Sequence, residues 1–245
     1  MSELVFIGTS DAFGAGGRRQ SAILLRAGNG SVLLDCGTTT SAGLSDLGIA
    51  RAEIDAILVS HFHGDHFGGI PFLLLAALYE DERRNPLWIA GPPGIERRVR
   101  TLAAALGYAI EEREWSFPVR FEELRPGRER EIGPVRVDAF AVFHQPHTAP
   151  HGLALRFGSQ RLVYSGDTGL FPGLADAVGE ADLFVCECTY LDNAFAYHVS
   201  HRDLVARKHE FRCQRIILTH LGQEMLPHRG HAAFETADDG LRVRL

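Results

Sequence analysis

Residues 61–66 read His-Phe-His-Gly-Asp-His and place three imidazoles and one carboxylate in six consecutive positions. On extended backbone the rings of His61 and His63 point the same way, so both can reach one ion. The glycine then permits a turn that brings Asp65 and His66 toward a second point nearby. Imidazole and carboxylate ligands suit zinc first, with manganese or iron as alternatives. The segment therefore predicts a pair of metal ions, and the alternative is a polar loop that is rich in histidine.

The elements on either side indicate how this segment is held. Residues 54–59 are apolar except for one charge and predict a buried strand that ends at Ser60. A helix is predicted to begin around Pro71 and to run to about Arg84. Its predicted apolar face consists of Phe72, Leu75, Ala76 and Tyr79. The histidine segment is therefore expected at a strand exit, inside a strand–loop–helix unit.

Later strands present the same kinds of side chain where they end. These side chains are His144, Asp167, Glu187 and His220. Groups at the carboxyl edges of strands that share a sheet converge in space, so we expect one site. Asp35 also follows a predicted strand, and it fits two roles equally well. It could accept the second N–H of a ligating histidine, or it could cap a helix that begins near Thr39.

Composition places this sequence among ordinary globular proteins. The chain has 245 residues, of which 45% are apolar and 23% charged, and we expect residues 1–245 to form one domain. The longest apolar run, Ile70 to Leu78, is too short to span a membrane, and Met1 to Gly8 lacks a signal-peptide pattern. The expected location is the cytoplasm, without a membrane partner.

Charge and cysteine content restrict the expected chemistry further. The net charge of −6 provides no overall attraction to nucleic acid. The four cysteines form no C-x-x-C pair and lie in apolar surroundings, which predicts reduced thiols rather than disulfides or a cysteine-ligated zinc.

Taken together, the motifs resemble the series found in the metallo-β-lactamase superfamily. The matching motifs are His-x-His-x-Asp-His at 61–66, His144, Gly166-Asp167-Thr168 and Thr219-His220. The ribonuclease Z-like branch is resembled more closely. That likeness rests on Phe6-Ile7-Gly8-Thr9-Ser10, Leu34-Asp35-Cys36-Gly37, and Glu187-Cys188-Thr189 before His198. The resemblance covers nearly the whole chain and implies an α/β fold, a four-layer αββα sandwich, with a dinuclear zinc site along one edge.

The resemblance also implies roles for individual residues. One metal would take His61, His63 and His144, the other Asp65, His66 and His220, with Asp167 bridging both. Two such ions lower the pKa of a shared water and hold it as hydroxide, which would be the nucleophile. Asp65 would orient that hydroxide or accept its proton.

A carboxylate–histidine pair completes the implied set. His198 would protonate the departing oxygen, and Glu187 would hold its tautomer. The alternative for His198 is a surface histidine beside a helix cap.

The sequence departs from the branch at two places. Cys186 stands where the branch commonly has the histidine of a His-Glu-Ala-Thr motif. The tRNA-processing members carry a long arm between the third ligating histidine and the bridging aspartate, whereas His144 and Asp167 are only 23 positions apart. In the loop between them, His147 and His151 could touch a substrate phosphate, but exposed loop histidines are the favoured interpretation.

The sequence leads to one preferred function and two alternatives. The preferred function is a zinc-dependent hydrolase that cleaves phosphodiester bonds, either a ribonuclease Z-like endoribonuclease or a phosphodiesterase of small or cyclic nucleotides. The missing arm and acidic charge favour a small nucleotide or unstructured RNA as the substrate. The alternatives are a thiolester or lactone hydrolase and a non-catalytic binding or carrier protein. Members of the branch often dimerise, so a homodimer is left open.

Overall fold

Two seven-stranded sheets form the centre of the structure. The computed structural model describes residues 2–28, 30–110, 113–193 and 195–245. The first sheet contains β1 (Glu3–Gly8), β2 (Ala22–Ala27), β3 (Gly30–Leu34), β4 (Ala56–Leu58), β5 (Leu87–Gly91), β6 (Val119–Glu123) and β14 (Arg242–Arg244). The second contains β7 (Arg130–Ile132), β8 (Val135–Ala141), β9 (His151–Phe157), β10 (Gln160–Tyr164), β11 (Leu183–Glu187), β12 (Ile216–Thr219) and β13 (Glu235–Thr236).

The two sheets have matching topologies. Their strand orders are β14-β1-β2-β3-β4-β5-β6 and β13-β12-β11-β10-β9-β8-β7. Strands β3 to β6 pair in parallel, as do β10 to β13, while the antiparallel pairs lie at the other end of each sheet. Parallel strands send their carboxyl ends to one edge, so each sheet contributes loops to a common site.

Helices cover the outer faces of both sheets. They are α1 (Thr40–Asp46), α2 (Gly64–Phe67), α3 (Ile70–Tyr79), α4 (Ile95–Ala105), α5 (Leu174–Val178) and α6 (His201–Ala206). Within the described ranges, none of these helices is long and apolar enough to cross a membrane. The layers therefore run helix, sheet, sheet, helix, and the expected αββα sandwich is confirmed.

Strand β1 shows why the strands read as continuous apolar runs. Leu4 and Phe6 pack between the two sheets, whereas Val5 and Ile7 pack under the helices on the outer face. Because both faces of this strand are buried, alternation of polar and apolar residues is absent from its sequence.

The prediction for helix α3 was wrong in its length and its face. The helix ends at Tyr79, and Glu82 beyond it has a left-handed φ of 46°. Phe72 and Tyr79 are 38% and 64% exposed. The buried residues are Ile70, Pro71, Leu73, Leu74 and Ala77. Nearly every residue of this helix is apolar, so periodicity could not select the buried face.

Candidate active site

Side chains from both sheets meet at the edge where the parallel strands end. The first sheet contributes the segment after β4, and the short helix α2 in it carries Asp65 and His66. The second sheet contributes His144 after β8, Asp167 after β10 and His220 directly after β12. The convergence that the sequence predicted is therefore present in the structure.

One group of possible ligands surrounds the ring of His63. The Nδ1 atom of His63 lies 3.0 Å from Nε2 of His61 and 3.2 Å from Nε2 of His144. Together with Asp167, these three imidazoles offer ligand atoms that all lie within 4.8 Å of one another. Tetrahedral zinc with ligands at about 2.1 Å separates neighbouring ligand atoms by roughly 3.4 Å, so this spacing fits an ion.

A second group has two imidazoles and two carboxylates. Asp65 Oδ2 lies 3.2 Å from Nε2 of His66 and 3.3 Å from Nε2 of His220. These three residues and Asp167 are all buried, and their ligand atoms meet the same distance limit. This group could also hold a cation.

Asp167 connects the two groups. Its Oδ2 faces the first group, 3.7 Å from His61 Nε2 and 4.0 Å from His144 Nε2. Its Oδ1 faces the second, 3.2 Å from His66 Nε2 and 3.4 Å from His220 Nε2. The carboxylate is thus in the position expected of a bridge.

Two buried atoms of the second group have no hydrogen-bond partner. Both Nε2 of His66 and Oδ1 of Asp167 are fully buried, and although they are near each other, neither makes a hydrogen bond. Unsatisfied buried polar atoms are costly unless something else binds them. The donor set and these atoms therefore fit a metal ion.

The two groups differ in their electrostatics. Burial is the main cause that lowers the pKa of His61, His63 and His144, which keeps these rings neutral as metal ligation requires. Burial also opposes the charged form of His66. The surrounding carboxylates outweigh it and raise the pKa of His66 well above its usual range. The carboxylates of the second group thus favour positive charge at His66, which a bound cation would supply in place of the proton.

Asp35 holds ligands of both groups. Its Oδ2 accepts hydrogen bonds from His66 Nδ1 at 2.7 Å and from Ser60 Oγ at 2.8 Å, and Ser60 Oγ lies 3.0 Å from Nδ1 of His61. Tyr164 donates to the same oxygen at 2.7 Å. The alternative role was wrong, because the residue before α1, Thr39, makes no side-chain cap and Asp35 faces the histidines.

The remaining ligating rings are also fixed through their second nitrogen. His144 Nδ1 donates to the carbonyl of Tyr197 at 2.9 Å. His220 Nδ1 lies 2.9 Å from Thr189 Oγ1, which in turn lies 3.1 Å from Glu187 Oε2. These contacts turn the Nε2 atoms of both rings toward the two groups of possible metal ligands. Sequence reasoning missed Ser60 and Tyr164, since nothing in their spacing marks them, and it gave no role to Thr189 although this residue belongs to the motif Glu187-Cys188-Thr189.

Glu187, which is buried, and His198, which is partly buried, form a pair beside the two groups of possible ligands. His198 Nδ1 donates to Glu187 Oε1 at 2.8 Å, and the backbone N–H of Thr168 donates to the same oxygen at 3.1 Å. Burial opposes the imidazolium, but the charge and hydrogen bond of Glu187 outweigh it and raise the pKa of His198 to about 9. The side chain of His198 is 15% exposed, so it is not a surface histidine.

Cys186, which stands where the branch commonly has a histidine, does not contact the proposed ligands. Its side chain packs in the apolar layer outside the second sheet, away from the metal groups. Burial, as the largest cause, raises the pKa of its thiol well above the usual range. Backbone and threonine donors hold Glu187 instead. All four cysteines are free, as the sequence predicted.

A cavity of about 570 Å³ opens onto these groups. Its wall includes His63, Asp65, Asp167, His198 and His220. The other lining residues are Asp11, Ala12, Phe13, Gly64, Gln145, Thr189, Tyr190, Phe195, Gly222, Gln223 and Glu224. None of the described residues in this wall is lysine or arginine. Its volume lies within the range of small-molecule sites, about 300–1,000 Å³.

The chain between His144 and Asp167 is short and ordered. It contains a single helical turn, Pro146–Thr148, and the hairpin of β9 and β10, so no arm extends from it. His147 is exposed there, as expected. His151 is partly buried at the start of β9, so the prediction of an exposed loop residue was wrong for it. Neither histidine lines the cavity.

Sequence comparison identifies relatives over most of the chain. A family described as "Anti-Pycsar protein Apyc1" matches residues 2–237. The ribonuclease Z of Bradyrhizobium diazoefficiens is 27% identical over 90% of this chain and 90% of its own length. Several other ribonuclease Z sequences align over only 33% to 45% of their own length.

Structural comparison finds the same architecture in solved proteins. The short form of human tRNase Z superposes with a TM-score of 0.78 at 23% identity, over 99% of this chain and 98% of that one. Zinc-bound PqqB from Methylobacterium extorquens superposes with a TM-score of 0.77 at 16% identity, over 99% of this chain and 100% of that one. At these identities the likeness concerns the fold, which is the metallo-β-lactamase fold.

Proposed function

We propose that this chain hydrolyses phosphodiester bonds in small nucleotides. The premise is its family, because the chain belongs to the Anti-Pycsar protein Apyc1 family and is a ribonuclease Z-like, metal-dependent hydrolase of the metallo-β-lactamase superfamily. The proposed substrates include cyclic nucleotides, and zinc is the proposed metal, with manganese or iron as substitutes. Relatives named ribonuclease Z and tRNase Z support phosphodiester chemistry.

The position of Asp167 carries the proposal. One carboxylate oxygen faces His61 and the other faces His66, so a single side chain can serve two ions. The proposed ligands are His61, His63 and His144 for one ion, and Asp65, His66 and His220 for the other. When bound, a pair of ions supplies Lewis-acid chemistry that makes water nucleophilic near neutral pH and neutralises phosphate charge.

Protein side chains would move the protons. Asp65, at the cavity wall, is proposed to orient the attacking water or to accept its proton. His198 also lines the cavity and is held by Glu187, and it is proposed to protonate the departing oxygen. A pKa raised to about 9 keeps His198 in the acid form at neutral pH, as a general acid requires.

The cavity wall supports a small substrate over a structured RNA. Protein contacts to nucleic acid depend on lysine and arginine side chains that bind successive phosphates. The described part of the wall has neither, and the acidic residues Asp11 and Glu224 line it. A small diester with one charge avoids this mismatch.

A substrate panel tests the activity. The zinc-loaded protein should hydrolyse bis-p-nitrophenyl phosphate and cyclic nucleotides faster than precursor tRNA or short RNA. A thiolester and a lactone test the alternative hydrolase, and we expect both to be turned over more slowly than the diesters. Turnover of thiolesters or lactones alone would refute the phosphodiesterase proposal.

Metal analysis tests the alternative of a non-catalytic binding or carrier protein. We expect about two ions per chain after zinc loading. A binding or carrier protein without catalysis would be supported by far fewer ions and no gain in turnover on adding zinc.

We also propose a cytoplasmic location, which four free thiols support, and a homodimer.

A further inference from the structure

We infer that Phe13 and Phe195 stack against the nucleobase of the substrate and so select nucleotides over other small phosphodiesters. The inference rests on the proposed function, because it concerns the same cavity. Both rings line the 570 Å³ cavity, whose wall also includes His63, Asp65, Asp167 and His220 of the two ligand groups. Neither residue is marked by a sequence motif.

Phe13 is held at the cavity mouth with its ring free. The ring is 93% exposed, the largest exposure among the exposed large apolar residues of the described chain. Its backbone is fixed, since Asp11 Oδ1 accepts the N–H of Phe13 at 3.1 Å and that of Ala15 at 3.1 Å. Gln20 Nε2 donates to the carbonyl of Ala12 at 2.9 Å. A braced loop that presents an exposed phenyl ring suits a stacking contact.

Phe195 is held by other aromatic rings. It stacks on His198 with ring centroids 5.8 Å apart and planes 21° apart, and it meets Tyr190 edge-on at 6.1 Å. Even so, 43% of the residue is exposed. One part of the ring is therefore fixed against the proposed general acid, while another part is open to a ligand.

Stacking is the means of base recognition that this wall offers. The wall has no lysine or arginine among its described residues, so it can gain little affinity from phosphates beyond the one at the metals. Every nucleobase has a flat π-face, and stacking on aromatic side chains contributes to binding whatever the base. Gln145 and Gln223 in the same wall can add hydrogen bonds to a base edge.

Equilibrium binding tests the inference without depending on turnover. Calorimetry on the zinc-loaded full chain would compare a nucleoside 5′-monophosphate with ribose 5-phosphate, which lacks the base. Phe13→Ala and Phe195→Ala should each raise the Kd of the nucleotide by about 5- to 150-fold. The Kd of ribose 5-phosphate should stay the same in both variants.

Matched variants separate stacking from general damage. Phe195→Tyr keeps an aromatic ring and should retain nucleotide affinity, whereas Phe195→Leu should lose it. Phe72→Ala removes another partly exposed ring, on helix α3 and outside the cavity, and should change neither Kd.

Two results would overturn the inference. One is equal affinity of the wild-type protein for the nucleotide and for ribose 5-phosphate. The other is equal weakening of both ligands by the alanine variants. Failure of the proposed function is a separate result, because it would show as absent diester turnover by the wild-type protein, measured independently of these Kd values.

Discussion

The floor and the rim of the cavity are built in opposite ways. The floor is defined as the set of proposed ligands His61, His63, Asp65, His66, His144, Asp167 and His220, of which His63, Asp65, Asp167 and His220 line the cavity. Six of them are at most 7% exposed, and second hydrogen bonds orient the rings of His61, His66, His144 and His220. The rim consists of Phe13, Tyr190, Phe195, Gln145 and Gln223, and Phe13 is almost fully exposed. The floor is suited to the reaction, and the rim to the choice of substrate.

This difference predicts which property, metal content or ligand affinity, a substitution in each region should change. Floor residues share partners, so loss of one affects metal content and turnover together. Phe13 at the rim is almost fully exposed, so its loss should affect ligand affinity with little change in metal content or stability.

Asp167→Ala should have the largest effect, because Asp167 faces both ligand groups. We expect both ions to be lost and diester turnover to fall by about 1,000-fold or more. Metal analysis and steady-state kinetics check this. The control is Asp176→Asn on the exposed face of α5, and retention of both ions by Asp167→Ala would contradict the bridging role.

His198→Ala should have the next largest effect and should spare metal content. Turnover of a diester with a poor leaving group should fall by about 100- to 10,000-fold, since the departing oxygen loses its acid. Unchanged turnover would remove His198 from the mechanism.

The pH profile distinguishes a positioned acid from a structural residue. The acid form of His198 exists below its pKa, so turnover should fall as the pH rises through that value. Glu187→Gln removes the charge that raises the pKa of His198, and this alkaline limb should move to lower pH by about 1–3 units. A limb at the same pH in both proteins would show that another group is responsible.

Asp35→Asn should have an intermediate effect through metal affinity. An amide cannot accept hydrogen bonds from His66, Ser60 and Tyr164 as a carboxylate does. We expect zinc affinity to fall by about 10- to 100-fold and turnover to recover at high zinc. Titration with a competing chelator measures the affinity, and an unchanged value would contradict the positioning role.

Phe13→Ala should have the smallest effect on metal content and on stability. Because the ring is 93% exposed, the free energy of unfolding should change by at most about 0.5 kcal/mol. Denaturant unfolding and metal analysis of the variant check this. Loss of either ion in Phe13→Ala would show that rim and floor are not separable.

Features that depend on neighbouring residues were predictable from the sequence. The segment 61–66 contains its ligands at a spacing that extended backbone and a turn convert into two ligand positions. Ser200 lies in a Ser-x-x-Asp pattern, which is typical of a helix start, and its side chain accepts the N–H of Asp203 at the start of α6. The buried face of α3 was not predictable, because its apolar residues surround the whole helix.

The sequence by itself determined which side chains could bind metal and that they follow buried strands, since residue type and local spacing encode both. Only the tertiary structure decided that Asp35 faces His66 rather than a helix end, that Asp167 presents one oxygen to each group, and that Phe13 and Phe195 reach the same cavity. The physical reason is the distance along the chain over which each kind of interaction acts. Backbone geometry and hydrophobic patterning act over a few residues, whereas the partner of a side-chain nitrogen or oxygen is set by packing between sheets that lie far apart in the chain.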